Sequence, residues 1–491
     1  MARESIHGAT HIAFDLDGDG SPDYTQAYRG PVKRVFLFRA ADDANPRHHV
    51  VDWDDLDPAN ERHLFLLLDG VPYDAMAELW SEGRFRLFHR PGLLISTLPS
   101  LTDPSFAQIL QAEPPCGYES CYFQRGRNRL TNGTQTYLRG DNEPWNSALD
   151  YRLNFIEDAI MYLFPGYVFR RELENARRTL LRSERHHPVV YLLSTDGLGH
   201  MQKRTEVLRY LRLLDRWIER LIYEQGARLQ ITMLADHGNS FVATEPFRLK
   251  ELLQQAGLHA SRSLKKQGDV VVPEFGLIDF AALYVFDANT LHRVVEVCRR
   301  DPAVELICYR QAQPPGIIVL NGRQRALIHR VEQPVRYGYV QLSGDPLRLA
   351  QTIRRLKQIG QLSEDGLAHD RAWLQATRHH VFPDPLHRIW QALTENTRNP
   401  ADVLLSLTPG YHVGDPSLDA WARMEGTHGG LRAASSNTFI MSTALQVPPW
   451  QRPADVLKRI QATVAWQPRV GGSASRSPAH QKTQDISQVI P

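Results

Sequence analysis

The chain has 491 residues, of which 42% are hydrophobic and 23% charged, a composition that predicts two or three compact folded units rather than a disordered protein. Its formal net charge of +2 argues against a dedicated nucleic-acid-binding surface. No apolar run approaches the roughly 20 residues of a membrane-spanning helix, so we expect no transmembrane segment.

The first residues, MARESIHGATHIAFDLDG, lack a basic segment followed by an apolar one and do not resemble a signal peptide. Taken as it stands, this start predicts a cytoplasmic protein. A start further upstream would allow an exported, periplasmic protein, and the sequence does not decide between the two compartments.

Acidic residues recur in the stretch FDLDGDGSPD, at Asp15, Asp17, Asp19 and Asp23. They occupy ligand positions of an EF-hand-like loop with Gly20 at its sharp turn, but Gln26 replaces the glutamate that closes such a loop. The stretch therefore predicts either a weak calcium loop or an acidic surface turn. It also resembles the phosphoryl-accepting strand end of haloacid dehalogenases, although that family has Thr or Val where Asp19 stands.

Four apolar stretches have the continuous pattern of strands buried on both faces of a parallel sheet: 62–70, 188–197, 227–238 and 436–443. Between the second and third stretches, RTEVLRYLRLLDRWIERLIYEQG places its apolar residues on one helical stripe and ends at Gly226, a typical residue after a helix end. Strand, helix and strand in this order predict an α/β fold, an open and mostly parallel sheet with helices on both faces.

The composition changes along the chain and predicts a core that is interrupted by an insertion. Residues 250–345 suggest short strands, hairpins and one helix, which is typical of a smaller α+β insertion or cap domain. The predicted segments are an N-terminal segment with the acidic loop (1–58), the first part of the core (59–249), the insertion (250–345), the second part of the core (346–466) and a polar, disordered tail (467–491).

Carboxylates and imidazoles follow the predicted strands, at the sheet edge where open parallel sheets bind their ligands. Another histidine lies in GTHGGL, shortly before the last predicted strand. The six candidate ligands are Asp69, Asp196, His200, Asp236, His237 and His428. One such aspartate alone is often only a helix cap. Six Asp and His residues together predict a site for two zinc or similar divalent ions.

A candidate nucleophile lies in LLISTLPSLTDPSFAQIL, where a predicted strand leads through a proline-rich turn into a predicted helix. Thr102 would lie at the amino terminus of that helix, where backbone N–H groups favour a phosphoryl oxygen. A two-metal site can activate such a hydroxyl. The simpler interpretation of Thr102 is an ordinary helix cap.

Five short motifs together resemble the alkaline phosphatase superfamily, and most closely its type I phosphodiesterase/nucleotide pyrophosphatase branch. They are LLLDGV, PSLTDPSF, STDGLGH, ADHGN and GTHGGL, in the order of that family and spread over roughly residues 60–445. The resemblance implies an alkaline-phosphatase-like core and hydrolysis of a small phosphate ester.

The resemblance also implies roles for the candidate residues. One metal, usually zinc in this family, would be held by Asp69, Thr102, Asp236 and His237. The other would be held by Asp196, His200 and His428. Thr102 would attack phosphorus to give a covalent phosphothreonine, with the two ions about 4 Å apart.

The residues after Thr102 depart from the nucleotide pyrophosphatase pattern of phenylalanine, proline and asparagine. Here they are Asp103, Pro104 and Ser105, so Ser105 is a candidate phosphate contact with a shorter reach than asparagine. A nucleotide substrate is therefore less expected. A zinc phosphodiesterase is the leading hypothesis. The alternatives are a phosphomonoesterase or phosphonate hydrolase of the same superfamily, or a catalytically silent binding member. The oligomeric state is not predicted.

Overall fold

The computed structural model describes residues 3–6, 9–14, 24–29, 33–39, 48–154, 157, 160–419, 423–464, 466 and 468. The acidic loop of Asp15, Asp17, Asp19 and Asp23 lies outside these residues, so its binding of calcium stays a prediction. Nearly all of the tail predicted to be disordered, 467–491, also lies outside them. Among the helices that are described, none has the length and hydrophobicity needed to cross a bilayer.

The strands of the described chain form several separate sheets. In chain order they are β1 (Arg3–Ile6), β2 (Ala9–Phe14), β3 (Tyr24–Arg29), β4 (Lys33–Arg39), β5 (His48–Asp52), β6 (His63–Leu68), β7 (Gly92–Ile95), β8 (Phe123–Gln124), β9 (Arg129–Leu130), β10 (Val189–Leu192), β11 (Gln230–Ala235), β12 (Glu245–Pro246), β13 (His259–Ala260), β14 (Asp269–Val271), β15 (Phe280–Val285), β16 (Val304–Gln311), β17 (Gly316–Asn321), β18 (Gln324–Glu332), β19 (Val335–Ser343), β20 (Leu367–His369), β21 (Val403–Leu407), β22 (Tyr411–His412), β23 (Asn437–Ser442) and β24 (Trp450–Gln451).

Helices alternate with strands through most of the chain. They are α1 (Tyr73–Ser81), α2 (Thr102–Ile109), α3 (Gly133–Arg139), α4 (Pro165–Arg182), α5 (Ser194–Met201), α6 (Arg204–Glu224), α7 (Leu249–Gln255), α8 (Ala288–Cys298), α9 (Ala350–Gln358), α10 (Asp370–Thr377), α11 (Pro385–Thr394), α12 (Pro416–Asp419), α13 (Ala433–Ser436) and α14 (Val456–Gln461). Short 3₁₀ turns cover Trp53–Asp55, Arg125–Arg127, Pro144–Ala148 and Pro453–Asp455.

The central sheet has the strand order β10-β6-β11-β23-β7-β24. Strands β10, β6 and β11 are parallel, whereas β23 runs antiparallel to both of its neighbours, β11 and β7. The four apolar stretches of the sequence correspond to β6, β10, β11 and β23, and the predicted α/β fold is confirmed. Because β23 runs in the opposite direction, it begins at the edge where β6, β7, β10 and β11 end.

Both faces of the central sheet are covered by helices, as its continuous apolar strands predict. In β6, Leu64, Leu66 and Leu68 pack against a cluster that includes α1, α4 and α6. The intervening Phe65 and Leu67 pack on the other face, in a cluster that includes α2 and α14. Because successive residues of a strand face opposite sides of the sheet, β6 packs against helices on both faces.

A second sheet of nine strands has the order β13-β14-β15-β21-β16-β17-β18-β19-β20. Most of these strands belong to the predicted insertion, 250–345. However, β21 comes from the following segment and pairs with β15 on one side and β16 on the other. The insertion is therefore joined to the second part of the core within one sheet. A further sheet, β1 to β5, is antiparallel throughout.

Candidate functional site

One edge of the central sheet carries all seven residues that the sequence singled out for metal binding and catalysis. The loops after β6, β7, β10 and β11 and the loop before β23 meet there because of the strand directions described above. These loops and the helices they begin supply Asp69, Thr102, Asp196, His200, Asp236, His237 and His428.

Asp69, Asp236 and His237 form a first group. The Nε2 atom of His237 lies 3.2 Å from Oδ1 of Asp69 and 3.5 Å from Oδ2 of Asp236. Each of the three residues is at most 2% exposed. Their ligand atoms all lie within 4.8 Å of one another, close enough for one ion to bind them together.

Asp196, His200 and His428 form a second group. Nε2 of His200 lies 3.2 Å from both Oδ1 of Asp196 and Nε2 of His428. Nε2 of His428 lies 3.5 Å from the same Asp196 oxygen. The rings of His237 and His428 stack with their centroids 3.7 Å apart, so the two groups are direct neighbours. The implied ligand sets are thus brought together, and their role as ligands stays a prediction.

Each histidine of the site has the same hydrogen-bonding pattern. The Nδ1 atoms of His200, His237 and His428 each lie 2.9 Å from a backbone carbonyl oxygen, those of Gly426, Gly238 and Ser100 respectively. A carbonyl oxygen only accepts hydrogen bonds, so the ring hydrogen must be on Nδ1. Nε2 is then the nitrogen that each histidine turns towards the carboxylates and the other rings, and it is the atom that would bind a metal once it carries no hydrogen.

Each carboxylate is anchored by one oxygen and leaves the other without a partner. Oδ2 of Asp69 accepts the hydroxyl of Tyr191, and Oδ1 of Asp236 accepts the backbone N–H groups of Gly70 and His237. The buried atoms without a hydrogen-bond partner include Oδ1 of Asp69, Oδ1 of Asp196, Oδ2 of Asp236 and Nε2 of His237. Such unpartnered buried polar atoms are costly in a folded protein unless a ligand satisfies them.

The electrostatics of the cluster also favour a cation. Burial and the carboxylate of Asp236 raise the pKa of Asp69 to about 8, and burial likewise raises the pKa of Asp236. Burial and the charge of His237 hold the pKa of His428 well below its usual range. A divalent ion favours ionised carboxylates and neutral imidazoles, so these residues fit the chemistry of a metal site.

Gly70 gives the two groups room to meet. Its φ of +63° is in the left-handed region, and a Cβ at this position would lie 3.1 Å from Oδ1 of Asp196 and 3.3 Å from the ring of His237. Any side chain here would be strained and would crowd both groups.

Thr102 is the first residue of α2 and is partly exposed beside the first group. Its hydroxyl lowers the pKa of Asp236, against the larger effect of burial, so it lies beside that carboxylate. No side chain caps the amino terminus of α2, so the first N–H groups of the helix are not occupied by a capping group. Thr102 therefore combines a hydroxyl beside the carboxylates with a helix start that suits a phosphoryl oxygen.

Ser105, the predicted phosphate contact, is fully buried one turn further along α2. Its hydroxyl lies 2.9 Å from those of Ser96 and Thr97 at the end of β7. A contact with phosphate would require one of these bonds to break, and the contact stays a prediction.

Sequence reasoning missed two residues that hold the ligands in place. Tyr191 donates to Asp69, but in the sequence it is one member of an apolar strand, and a hydroxyl inside such a run is the only signal. Glu172 of α4 accepts hydrogen bonds from the backbone of Leu193 and Ser194, at the start of the helix that carries Asp196. No local sequence pattern connects Glu172 with that helix.

Comparison with known proteins gives one family match and several distant structural similarities. No curated protein sequence matches the chain. Among solved structures, human ectonucleotide pyrophosphatase/phosphodiesterase 5 is 10% identical with a TM-score of 0.47, covering 82% of this chain and 94% of that chain. Phosphonoacetate hydrolase from Sinorhizobium meliloti 1021, in complex with phosphonoformate, is 12% identical with a TM-score of 0.43, covering 87% and 99%.

The family model of type I phosphodiesterase/nucleotide pyrophosphatase matches residues 132–431, more than half of the chain. The match includes five of the seven residues gathered at the sheet edge, from Asp196 to His428. We conclude that the chain belongs to the type I phosphodiesterase/nucleotide pyrophosphatase family.

Proposed function

We propose that this protein is a two-metal hydrolase of phosphodiesters that uses Thr102 as its nucleophile and zinc as its metal. Membership of the family supports hydrolysis of a phosphoric ester. The observation that carries the finer proposal is the set of unpartnered oxygen and nitrogen atoms in the two adjacent groups beside Thr102.

The division of the ligands between the two metals follows the family resemblance. Asp69, Asp236, His237 and the Thr102 hydroxyl would bind one ion, and Asp196, His200 and His428 would bind the other. The geometry supports the first set, and His237 as well as His200 lies within reach of Asp196 and His428. Mixed carboxylate and imidazole ligands suit Zn²⁺. When bound, such ions lower the pKa of a coordinated hydroxyl or water and stabilise negative charge on phosphate oxygens.

The chain's own residues prepare the attack on phosphorus. The carboxylate of Asp236, whose pKa the Thr102 hydroxyl lowers, lies beside that hydroxyl and would orient it for the attack. The bond between Oγ1 of Thr102 and phosphorus forms while the bond from phosphorus to the leaving oxygen breaks; the hydroxyl proton is released, and the leaving oxygen takes up a proton from water. The resulting phosphothreonine keeps the second ester group of the substrate. Water then cleaves its bond between phosphorus and Oγ1, which releases a phosphate monoester and restores the hydroxyl of Thr102. The backbone N–H groups of Thr102 and Asp103, at the start of α2, would bind a phosphoryl oxygen in both steps.

The charges around the site favour a diester over a monoester. In the part of the chain that the structure describes, Asp69, Asp196 and Asp236 form no ion pair with lysine or arginine. Arg204, which follows His200 closely in sequence, pairs instead with Asp74 and Glu78. A diester carries one negative charge and needs less compensation at such an acidic site than a monoester dianion does.

Asp103 is the carboxyl group closest in sequence to the candidate nucleophile. It directly follows Thr102, and its carboxylate accepts hydrogen bonds from Asn142 at 2.5 Å and from the Trp145 ring at 3.1 Å. Burial and the nearby carboxylate of Glu143 raise the pKa of Asp103 well above its usual range. The raised pKa favours the uncharged carboxyl, so Asp103 does not by itself distinguish a diester from a monoester.

The test compares hydrolysis of bis-p-nitrophenyl phosphate, p-nitrophenyl phosphate and phosphonoacetate by the zinc-loaded protein. We expect the diester to be cleaved fastest, and Thr102→Ala to lower kcat by about 1,000-fold or more. Thr408→Ala is the matched control, because the Thr408 hydroxyl bonds only the carbonyl of Pro302, outside the site.

Preference for the monoester or the phosphonate would keep the site and overturn the substrate class. Zinc binding at two ions per chain without any hydrolysis would favour a silent binding member. Hydrolysis that persists in Thr102→Ala would overturn the assignment of the nucleophile.

A further inference from the structure

A single buried arginine lies behind the metal centre and is not one of its ligands. Arg388, in α11, is 3% exposed. Among the residues that the structure describes, it forms no ion pair with a carboxylate, since the neighbouring Asp384 pairs with Arg452. Burial lowers the pKa of Arg388 to about 9, so the side chain remains charged at pH 7. A buried charge without an ionic partner is costly, which suggests a role beyond packing.

The guanidinium of Arg388 contacts two catalytic loops. Nη2 donates to the carbonyl of Thr97 at 2.9 Å and to the hydroxyl of Ser100 at 3.0 Å, in the loop that leads to Thr102. The same nitrogen donates to the hydroxyl of Ser436 at 2.6 Å, and Nη1 donates to the carbonyl of Leu431 at 3.1 Å. These two acceptors lie in the segment that follows His428. Arg388 is therefore bonded to both sides of the centre.

The two loops also hold each other directly. The backbone N–H of Ser100 donates to the carbonyl of Gly429 at 2.9 Å, and Nδ1 of His428 donates to the carbonyl of Ser100 at 2.9 Å. Gly429 has a φ of +118°, a conformation that side chains rarely adopt. A shift of either loop would consequently move both the nucleophile and a candidate metal ligand.

We propose that Arg388 is a positioning residue that fixes Thr102 and His428 relative to each other through these two loops. A planar guanidinium can donate to several acceptors in fixed directions, whereas a lysine ammonium has three donors on one atom. Arg388 touches none of the six candidate ligands, so it acts only through the loops. The expected effect of Arg388 on kcat rests on the proposed function. Its expected effect on zinc affinity does not require hydrolysis and is tested separately.

The test uses Arg388→Met in the full-length chain. A misplacement of about 1 Å at a reacting group can cost about 100-fold in rate. We expect kcat for bis-p-nitrophenyl phosphate to fall about 10- to 100-fold while KM changes less than about threefold. The more weakly bound zinc should show a dissociation constant about tenfold higher, measured by competition with a chromophoric chelator. Arg388→Lys should recover part of both losses.

Arg452→Met is the matched control. Arg452 is also buried, at 7% exposure, and its guanidinium pairs with Asp370 and Asp384 instead of the catalytic loops. We expect this variant to be at least as destabilised as Arg388→Met, yet to keep kcat and zinc affinity within about twofold when folded. Added guanidinium should raise kcat of Arg388→Ala and leave that of Arg452→Ala unchanged.

Equal losses in the two methionine variants would overturn the proposal, because general destabilisation would then explain both. Wild-type kcat and zinc affinity in Arg388→Met would also overturn it. If the wild-type protein hydrolyses no ester, the proposed function fails, and the zinc titration alone decides the role of Arg388. If Arg388→Met does not fold, the same comparison is made with Arg388→Lys, and an unchanged kcat and zinc affinity in that variant would overturn the role of the guanidinium.

Discussion

At the scale of single residues, Tyr191 determines how Asp69 presents its carboxylate. Its side chain is 1% exposed, and its ring makes edge contacts with Phe106 and Trp145 at centroid distances of 5.3 and 5.5 Å. This packing holds the phenol in one place. Its hydroxyl donates to Oδ2 of Asp69 and leaves Oδ1 turned to the other ligands.

Tyr191→Phe removes only that hydroxyl, so we expect the fold to persist and the zinc affinity of the first site to fall about 10- to 100-fold. The measurement is a competitive zinc titration with a chromophoric chelator. Tyr284→Phe is the control, because the buried hydroxyl of Tyr284 donates to the carbonyl of Asn399 in the nine-stranded sheet. Equal zinc affinity in the two variants would contradict the role given to Tyr191.

His63, the first residue of β6, makes stability depend on pH. It is fully buried, its Nε2 lies 2.8 Å from the hydroxyl of Thr232, and burial together with His187 lowers its pKa to about 3. Because the folded-state pKa lies below the unfolded value, the stabilisation is complete above pH 6.5 and is lost as the pH falls towards 3. At pH 5 the loss should be about 2 kcal/mol relative to pH 7.

His63→Phe should remove this part of the pH dependence. We expect its unfolding free energy, measured in urea at pH 7 and pH 5, to fall about 2 kcal/mol less on acidification than that of the wild type. His292→Phe, on the exposed face of α8, serves as the control. A His63→Phe variant with the same acid sensitivity as the wild type would show that other groups carry the effect.

At the scale of elements, α5 is the helix that must stay in place, since it carries Asp196 and His200. Its own sequence provides no side-chain cap at the amino terminus. The carboxylate of Glu172, from α4, supplies the acceptors for the N–H groups of Leu193 and Ser194 at 3.1 and 3.0 Å. One helix is thus capped by a side chain of another. Burial raises the pKa of Glu172 to about 7, so this group is only partly ionised at neutral pH.

Glu172→Gln keeps the size of this side chain but replaces one acceptor with a donor. We expect a loss of about 1–2 kcal/mol in unfolding free energy and a several-fold weaker second zinc. Chemical denaturation and zinc titration measure the two effects. Glu174→Gln, on the same helix, removes only surface ion pairs to Arg177 and Arg178 and should cost less than about 1 kcal/mol. A Glu172→Gln variant with wild-type zinc binding would show that the cap does not support the ligands.

At the scale of the whole molecule, the sequence predicted the central sheet because four of its strands are continuous apolar runs, three of which are followed by a candidate ligand. It could not predict that β21 lies between β15 and β16, since pairing between distant segments leaves no local periodicity. For the same reason, the predicted bounds 250–345 leave out β20 and β21, which belong to the same nine-stranded sheet.

The site was predictable where chemistry is visible in residue type, as for Asp and His after strands. The sequence did not indicate the residues that support the site from other elements, because their role depends on packing and not on residue type alone. Tyr191 is one apolar-looking residue in a strand, and Arg388 lies 286 positions after Thr102 in a motif with no chemical signature. Only the packing of strands and loops shows that Tyr191 contacts Asp69 and that Arg388 contacts the loops beside Thr102 and His428.

Removing the metals should destabilise the whole chain, because the candidate ligands come from segments between residues 69 and 428. An ion that binds only the folded state contributes about 2.7 kcal/mol when its free concentration is 100 times its dissociation constant. We expect a lower unfolding temperature after treatment with a chelator and recovery on adding zinc. Asp69→Asn should show a smaller shift, and an unchanged unfolding temperature in the wild type would contradict zinc binding at this site.

The position of β21 has a consequence for how the protein is made. β21 lies between β15 and β16. The strands on either side of it therefore cannot join into one nine-stranded sheet until residues 403–407 have left the ribosome. The central sheet likewise lacks β23, between β11 and β7, until residue 442 is synthesised. During translation both sheets therefore present open strand edges, which are sites of aggregation, and they close only near the end of synthesis.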